Sequence, residues 1–124
     1  MALVTGASSG IGYAFAVELA KRGCQLILVA HSRDKLESLA ETLREDYNAS
    51  VKIIIQDLSS EGAAQTVFEQ VQAKNNHVHL LINNAGFGTD GAFEKTSFET
   101  QHAMTLLNVT ALSDLTHLFL PGMQ

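Results

Sequence analysis

Several features that would point to particular functions are scarce in this sequence. Cys24 is the only cysteine, so neither an intrachain disulfide framework nor a cysteine-based metal site is expected. A thiol in that place reads as a small buried residue at the start of a strand. Positive charge is also scarce: 8 Lys and Arg stand against 13 Asp and Glu, for a formal net charge of −5, and no basic block offsets it. A nucleic-acid partner is therefore not expected. No uninterrupted apolar run reaches spanning length, and no leader-like segment precedes the first motif. The expectation is a soluble, cytoplasmic chain with no membrane partner. Of the 5 histidines, His77 and His79 are only two apart and have no carboxylate or cysteine companions, so no metal site is expected.

What remains is ordinary globular material. Hydrophobic residues make up 46% and charged residues 17% of 124 residues, enough for one domain with a real core. The chain is organised around Thr5-Gly6-Ala7-Ser8-Ser9-Gly10-Ile11-Gly12, between the apolar Ala2-Leu3-Val4 and a helical pattern from Tyr13 to Ala20. Glycines at a strand–helix joint allow a tight turn, close approach of a pyrophosphate and close helix–strand packing. The unpaired N–H groups and positive dipole end of the helix then face the phosphates. The spacing is G-x-x-x-G-x-G, and no Lys-Ser/Thr pair follows as a P-loop requires.

Strand-like and helix-like segments then alternate. Helix is predicted from about Gly10 to Arg22, with Gly23 as its stop, and Leu26 to Ala30 reads as a strand buried on both faces. A second helix spans roughly Arg33 to Tyr47, with Ser32 as N-cap and Leu36, Leu39, Ala40 and Leu43 on one face. Val51 to Gln56 is the third strand. Asp57-Leu58-Ser59-Ser60 ends it and starts a helix with Ala64, Val67, Phe68 and Val71 as its buried stripe. His79 to Ile82 is the fourth strand, followed by Asn83-Asn84-Ala85-Gly86 and a glycine-containing loop from Phe87 to Lys95. Thr96 and Glu99 form a capping-box signature for a long helix carrying Leu106, Val109, Leu112, Leu115 and Phe119, ended by Pro121-Gly122.

Successive β-α units with short joints predict a Rossmann-type α/β fold. It would be a doubly wound parallel sheet in a three-layer αβα arrangement, incomplete, with strand order 3-2-1-4. Its crevice would lie at the carboxyl ends of the strands, where the order reverses. Each unusual polar cluster falls at such an end. His31, Ser32 and Arg33 follow strand two, where NAD-binding folds usually place an Asp or Glu for the ribose hydroxyls. Their donors and positive charge suit a 2′-phosphate instead, so NADP(H) is preferred with NAD(H) possible. The bland alternative is a helix start with incidental basic neighbours. Asp57 suits either an adenine amino group, with the Leu58 backbone beside it, or plain helix capping. Two consecutive Asn residues ending an apolar strand need many hydrogen-bond partners, and Ala85 and Gly86 leave room for a flat ligand. Asn108 sits among apolar helical neighbours, either satisfied structurally or aimed at something.

Together these residues resemble the short-chain dehydrogenase/reductase family, in the branch with T-G-x-x-x-G-x-G and N-N-A-G motifs. Asp57 matches its adenine-binding Asp, and Asn108, in Leu107-Asn108-Val109-Thr110-Ala111, matches its tetrad Asn. The resemblance implies that Gly6, Ser8, Gly10 and Ile11 surround the pyrophosphate, with Ser9 and Gly12 in the same loop. Asn84 and Ala85, followed by Gly86, would lie on the adenosine side. It also implies that Asn108 holds a water and helps to position a catalytic Lys. The family transfers hydride between a nicotinamide and a small carbonyl or alcohol substrate, and its long helix commonly packs in a homo-oligomer, dimer or tetramer.

The family's Ser and Tyr-x-x-x-Lys pair follow the element that holds Asn108, and they are not in these residues: Tyr13 is followed four places on by Val17, and Tyr47 by Val51. Residues 1–124 are thus expected to form the N-terminal, cofactor-binding part of a longer reductase, inactive alone and with an apolar sheet edge at strand four. The alternative is a dinucleotide-binding module or redox sensor without catalysis. An epimerase-like relative fits less well, because its usual T-G-x-x-G-x-x-G loop does not match Gly6, Gly10 and Gly12.

Overall fold

The computed structural model describes residues 1–8, 10–84, 97–99, 102 and 110–123. Among these the elements run β1 (Ala2–Thr5), α1 (Gly10–Lys21), β2 (Leu26–Ala30), α2 (Arg33–Tyr47), β3 (Val51–Ile55), α3 (Ala63–Ala73), β4 (Leu80–Ile82) and α4 (Leu112–Met123). The strands pair in the order β3-β2-β1-β4, every pair parallel, as the alternation of apolar runs and helical patterns predicts. This is a Rossmann-type α/β sheet.

The period of two along each strand divides the core between the two faces of the sheet. Val4, Leu26, Leu28 and Ala30 point toward α1 and α2 and pack with Ala16, Ala20, Leu36, Leu39 and Leu43. Leu3, Ile27, Val29 and Ile54 point the other way, against Val67 and Val71 of α3 and Leu115 and Phe119 of α4. Phe68 meets Phe119 edge-on, with ring centroids 5.1 Å apart. β1 and β2 are buried at every position, which explains why they read as continuous apolar runs.

Helix α1 ends in a Schellman arrangement: Gly23 N–H donates to Ala20 O at 3.0 Å and Cys24 N–H to Leu19 O at 3.1 Å. Cys24 is half-buried, and the strand starts two residues beyond it at Leu26. The fourth strand begins at Leu80, one residue later than predicted, and has β1 as its neighbour among the described residues.

Two predictions at helix ends need correction, and a third holds in position but not in its side-chain bond. Asp57 does not start α3, which begins at Ala63 after Gly62, because the carboxylate is taken up by Ser59 in a local turn. Ser32 stands at the N-cap of α2, yet its side chain makes no capping bond; the start is closed by the Ser32 carbonyl, which accepts the Leu36 N–H at 3.1 Å. Pro121 and Gly122 do not end α4, since Pro121 lies inside it and helix continues to Met123. A proline in the last turn removes only one late donor. The packing of Leu118, Phe119 and Met123 against the second core holds the chain helical past it. The capping Thr96, and the predicted helical positions Leu106 and Val109, lie outside the described residues.

Candidate functional site

Parallel pairing puts the carboxyl ends of all the strands along one edge of the sheet. Thr5 is in register with Val29, Ala30 with Ile55, and Val4 with Ile82. The four polar segments singled out in the sequence therefore emerge side by side, although they are spread over most of the chain.

The glycine loop leaves β1 at Gly6, whose φ of +62° turns the backbone as a side chain would resist. Ala7 is fully buried, and its N–H donates to Val29 O at 3.4 Å, which ties the loop to β2. Gly10, Ile11 and Gly12 open α1, so their N–H groups have no carbonyl inside the helix to bond. Gly12 has a different task from Gly6. A Cβ at Gly12 would run into the Gly6 carbonyl and the Asn84 side-chain amide, so the helix can approach β1 and β4 this closely only without one. Ile11 is 68% exposed and presents an apolar side chain beside those free N–H groups. Ser8 opens onto a groove of about 340 Å³ shared with Tyr13, Asp34, Lys35, Ser38 and Thr42.

Asn84 is joined to this loop directly. Its backbone N–H donates to Thr5 Oγ1 at 3.0 Å, and its Nδ2 donates to Gly6 O at 3.2 Å. Thr5 Oγ1 in turn donates to Ile82 O at 3.3 Å. Thr5 is the one buried polar residue among the described residues, at 1% exposure, and it stitches β1 to β4 where the strand order reverses. Its importance is not apparent from the sequence: a threonine before a glycine loop looks like part of the loop, whereas the structure makes it the last residue of β1.

Beyond β2, His31 and Arg33 are exposed and Ser32 is half-buried. No carboxylate occupies the end of β2, as predicted, but Arg33 Nη1 already pairs with Glu37 Oε1 at 3.4 Å one helical turn on. With the two side chains 65% and 52% exposed, such a pair is weak and yields readily to a more highly charged anion. Beyond β3, Asp57 Oδ1 accepts the Ser59 hydroxyl at 2.6 Å and the Ser59 N–H at 2.9 Å. These two bonds, the hydroxyl first, hold the Asp57 carboxyl below its ordinary 3.8; slight burial opposes them, and the nearby His31 adds a smaller pull downward. Leu58 is 5% exposed, with its side chain in the second core.

A folded carboxyl group with a lowered pKa stabilises the protein above its unfolded pKa, and that contribution is lost as pH falls through the lowered native value. Replacing Ser59 with alanine is expected to return the Asp57 titration upward toward 3.8. An NMR titration of the side-chain carboxyl carbon reads this, and an unchanged midpoint in Ser59→Ala would exclude Ser59 as the cause.

The candidate residues Gly6, Ser8, Gly10, Ile11, Gly12, His31, Ser32, Arg33, Asp57, Leu58 and Asn84 thus all stand on one edge. Ser9, Ala85, Gly86 and Asn108 lie outside the described residues. No group of three or more potential metal-ligating side chains occurs among the described residues, and none of their helices is long and apolar enough to cross a membrane.

Comparison with known proteins agrees with this geometry. The family model described as short chain dehydrogenase matches residues 1–124. The very-long-chain 3-oxoacyl-CoA reductase of Anas platyrhynchos is 32% identical over 98% of this chain and 40% of its own length. The inactive hydroxysteroid dehydrogenase-like protein 1 of Homo sapiens is 33% identical over 98% of this chain and 37% of its own. The crystal structure of L-sorbose reductase from Gluconobacter frateurii, complexed with NADPH and L-sorbose, superposes with a TM-score of 0.90 at 33% identity, over 98% of this chain and 46% of that one. The chain spans less than half the length of each of these relatives. The family model over the whole length of the chain, with relatives above 30% identity, shows that the chain belongs to the short chain dehydrogenase family.

Proposed function

We propose that residues 1–124 form the NAD(P)-binding, N-terminal part of an oxidoreductase that moves hydride between NADP(H) and a small carbonyl or alcohol substrate. The observation that carries this reading is the hydrogen-bonded lock between Asn84 and Gly6 beside the open N-terminus of α1. It fits a dinucleotide because the edge offers first-turn helix N–H groups that have no partner within the helix, backbone free of side chains at Gly6 and Gly12, and a strand β2 that ends at Ala30 without a carboxylate of its own.

In this reading Gly6, Ser8, Ser9, Gly10, Ile11 and Gly12 hold the pyrophosphate. His31, Ser32 and Arg33 meet the 2′-phosphate, and Arg33 exchanges its weak Glu37 partner for that anion. Asp57, kept charged and oriented by Ser59, accepts from the adenine amino group, with the Leu58 backbone beside it. Asn84, Ala85 and Gly86 line the adenosine side. When bound, the nicotinamide supplies or accepts the hydride. Asn108 holds a water within the proton relay of the full-length protein, whose Ser and Tyr-x-x-x-Lys pair would complete the site. The protein would be a cytoplasmic homo-oligomer, dimer or tetramer. The NADPH-bound L-sorbose reductase supports the choice of cofactor.

Titrating full-length protein with NADPH and with NADH tests this. NADPH should bind more tightly, and Arg33→Ala should weaken NADPH about tenfold, the scale of one lost charge-assisted hydrogen bond, while leaving NADH almost unchanged. Equal or tighter NADH binding by the unmodified protein would sink the role given to His31, Ser32 and Arg33.

A second reading, a dinucleotide-binding module without catalysis, is favoured by the human relative named as inactive. The two differ in one observable. The oxidoreductase needs Ser and Tyr-x-x-x-Lys beyond Gln124 and oxidises NADPH with a carbonyl substrate; the module binds NADPH and turns nothing over.

A further inference from the structure

Helix α4 reaches the candidate edge of the sheet through the Thr116 hydroxyl. Asn83, the first residue beyond β4, donates from Nδ2 to Thr116 Oγ1 at 3.1 Å, across 33 residues of chain. Asn83 Oδ1 is buried and has no hydrogen-bond partner among the described residues, so the bond to Thr116 is what orients this amide. Thr116 cannot drift to meet it. Its neighbour Leu115 is 1% exposed and Phe119, one turn on, is 4% exposed, both embedded in the second core.

One peptide further along, the chain is held from the opposite side. Asn84 N–H donates to Thr5 Oγ1, Asn84 Nδ2 to Gly6 O, and Thr5 Oγ1 back to Ile82 O. Residues 82–84 are therefore clamped between α4 on one side and β1 with the glycine loop on the other. Releasing the α4 side frees the Asn83 side chain to seek another partner, and a shift there reaches Asn84, whose N–H holds Thr5 Oγ1 and whose side chain holds the Gly6 carbonyl. Coupled polar networks of this kind respond as units and not bond by bond.

We propose that Thr116 is a positioning residue for the dinucleotide loop, acting through Asn83 on the Asn84 peptide and through Asn84 on the Gly6 carbonyl. The proposal rests on reading this edge as a dinucleotide site. It also makes the placement of α4 a determinant of cofactor affinity, although α4 itself contributes no group to the glycine loop among the described residues.

The test compares Thr116→Val, which keeps the shape and removes the hydroxyl, with Thr116→Ser, which keeps the hydroxyl, in the full-length protein. NADPH affinity is read by nicotinamide fluorescence, and amide hydrogen exchange over residues 5–12 and 82–84 is read without ligand. Thr116→Val is expected to weaken NADPH about fivefold, the scale of one net hydrogen bond, and to speed exchange at the Asn84 N–H. Thr116→Ser should restore both to within about twofold. A merely structural role would lower the melting temperature of both variants and leave affinity and exchange at these segments alike. Unchanged NADPH binding and unchanged exchange in Thr116→Val would overturn the proposal. If the unmodified protein binds neither NADPH nor NADH, the dinucleotide reading fails, and the exchange comparison still decides whether Thr116 holds the loop.

Discussion

The Gly12→Ala protein is expected to lose dinucleotide binding by about a hundredfold or more, and to be destabilised by about 1–3 kcal/mol, the usual cost of forcing extra atoms into a packed site. The added methyl would meet the Gly6 carbonyl and the Asn84 Nδ2. The carbonyl is backbone and cannot rotate away. The Asn84 amide is held by Gly6 itself, so displacing it breaks the bond that closes the edge. The strain is relieved only if the N-terminus of α1 backs away from β1, which moves its first-turn N–H groups off the place proposed for the phosphates. Position matters to this forecast, since a Cβ on Gly10 meets nothing within 4 Å although its φ of +61° disfavours a side chain. Isothermal titration with NADPH, together with a urea melt, measures both effects. Wild-type affinity in Gly12→Ala would show that the close approach is not needed for the cofactor.

The second large effect lies away from the cofactor. Leu28 stands in the middle of β2, fully buried, between Val4 of β1 and Ile53 of β3, and faces α1 and α2. Truncation to alanine leaves a cavity that neither neighbouring strand can close, because their ladders fix the strand spacing. The expected cost is about 2–5 kcal/mol, a large share of the stability of a domain this size. Chemical denaturation of Leu28→Ala should show an earlier midpoint with an unchanged slope. A shift below about 1 kcal/mol would mean that this face of the sheet is loosely packed.

These two sites differ in how far the sequence announces them. Leu28 is plain from its place in an unbroken apolar run, and the stripe Leu36, Leu39, Ala40 and Leu43 is plain from its spacing; all are buried where predicted. Gly12 is visible as part of a loop motif, but its reason is not: Asn84 lies far along the chain, and only the sheet order puts it against α1. The errors follow the same line. Asp57 before a helical stripe looks like a helix cap, yet Ser59 two residues on captures the carboxylate and the helix waits until Ala63. Pro121-Gly122 looks like a stop, yet Met123 beyond it packs into the core and keeps the turn helical.

By itself, then, the sequence determined the order of elements and the two apolar faces, which depend on short-range periodicity and on glycines at the joints, while the parallel sheet and its strand order followed from the crossover rules for successive β-α units. The tertiary structure alone decided which polar groups close the edge: Thr5 with Ile82 and Asn84, Asn84 with Gly6, and Asn83 with Thr116. A buried polar atom must find a partner wherever packing brings one within reach, and that distance is set by the whole fold and not by neighbours in the chain. The stretch from Thr5 to Gly12 is thus legible as a phosphate-type loop from its residues, and becomes one side of a locked edge only once β4 and α4 are in place.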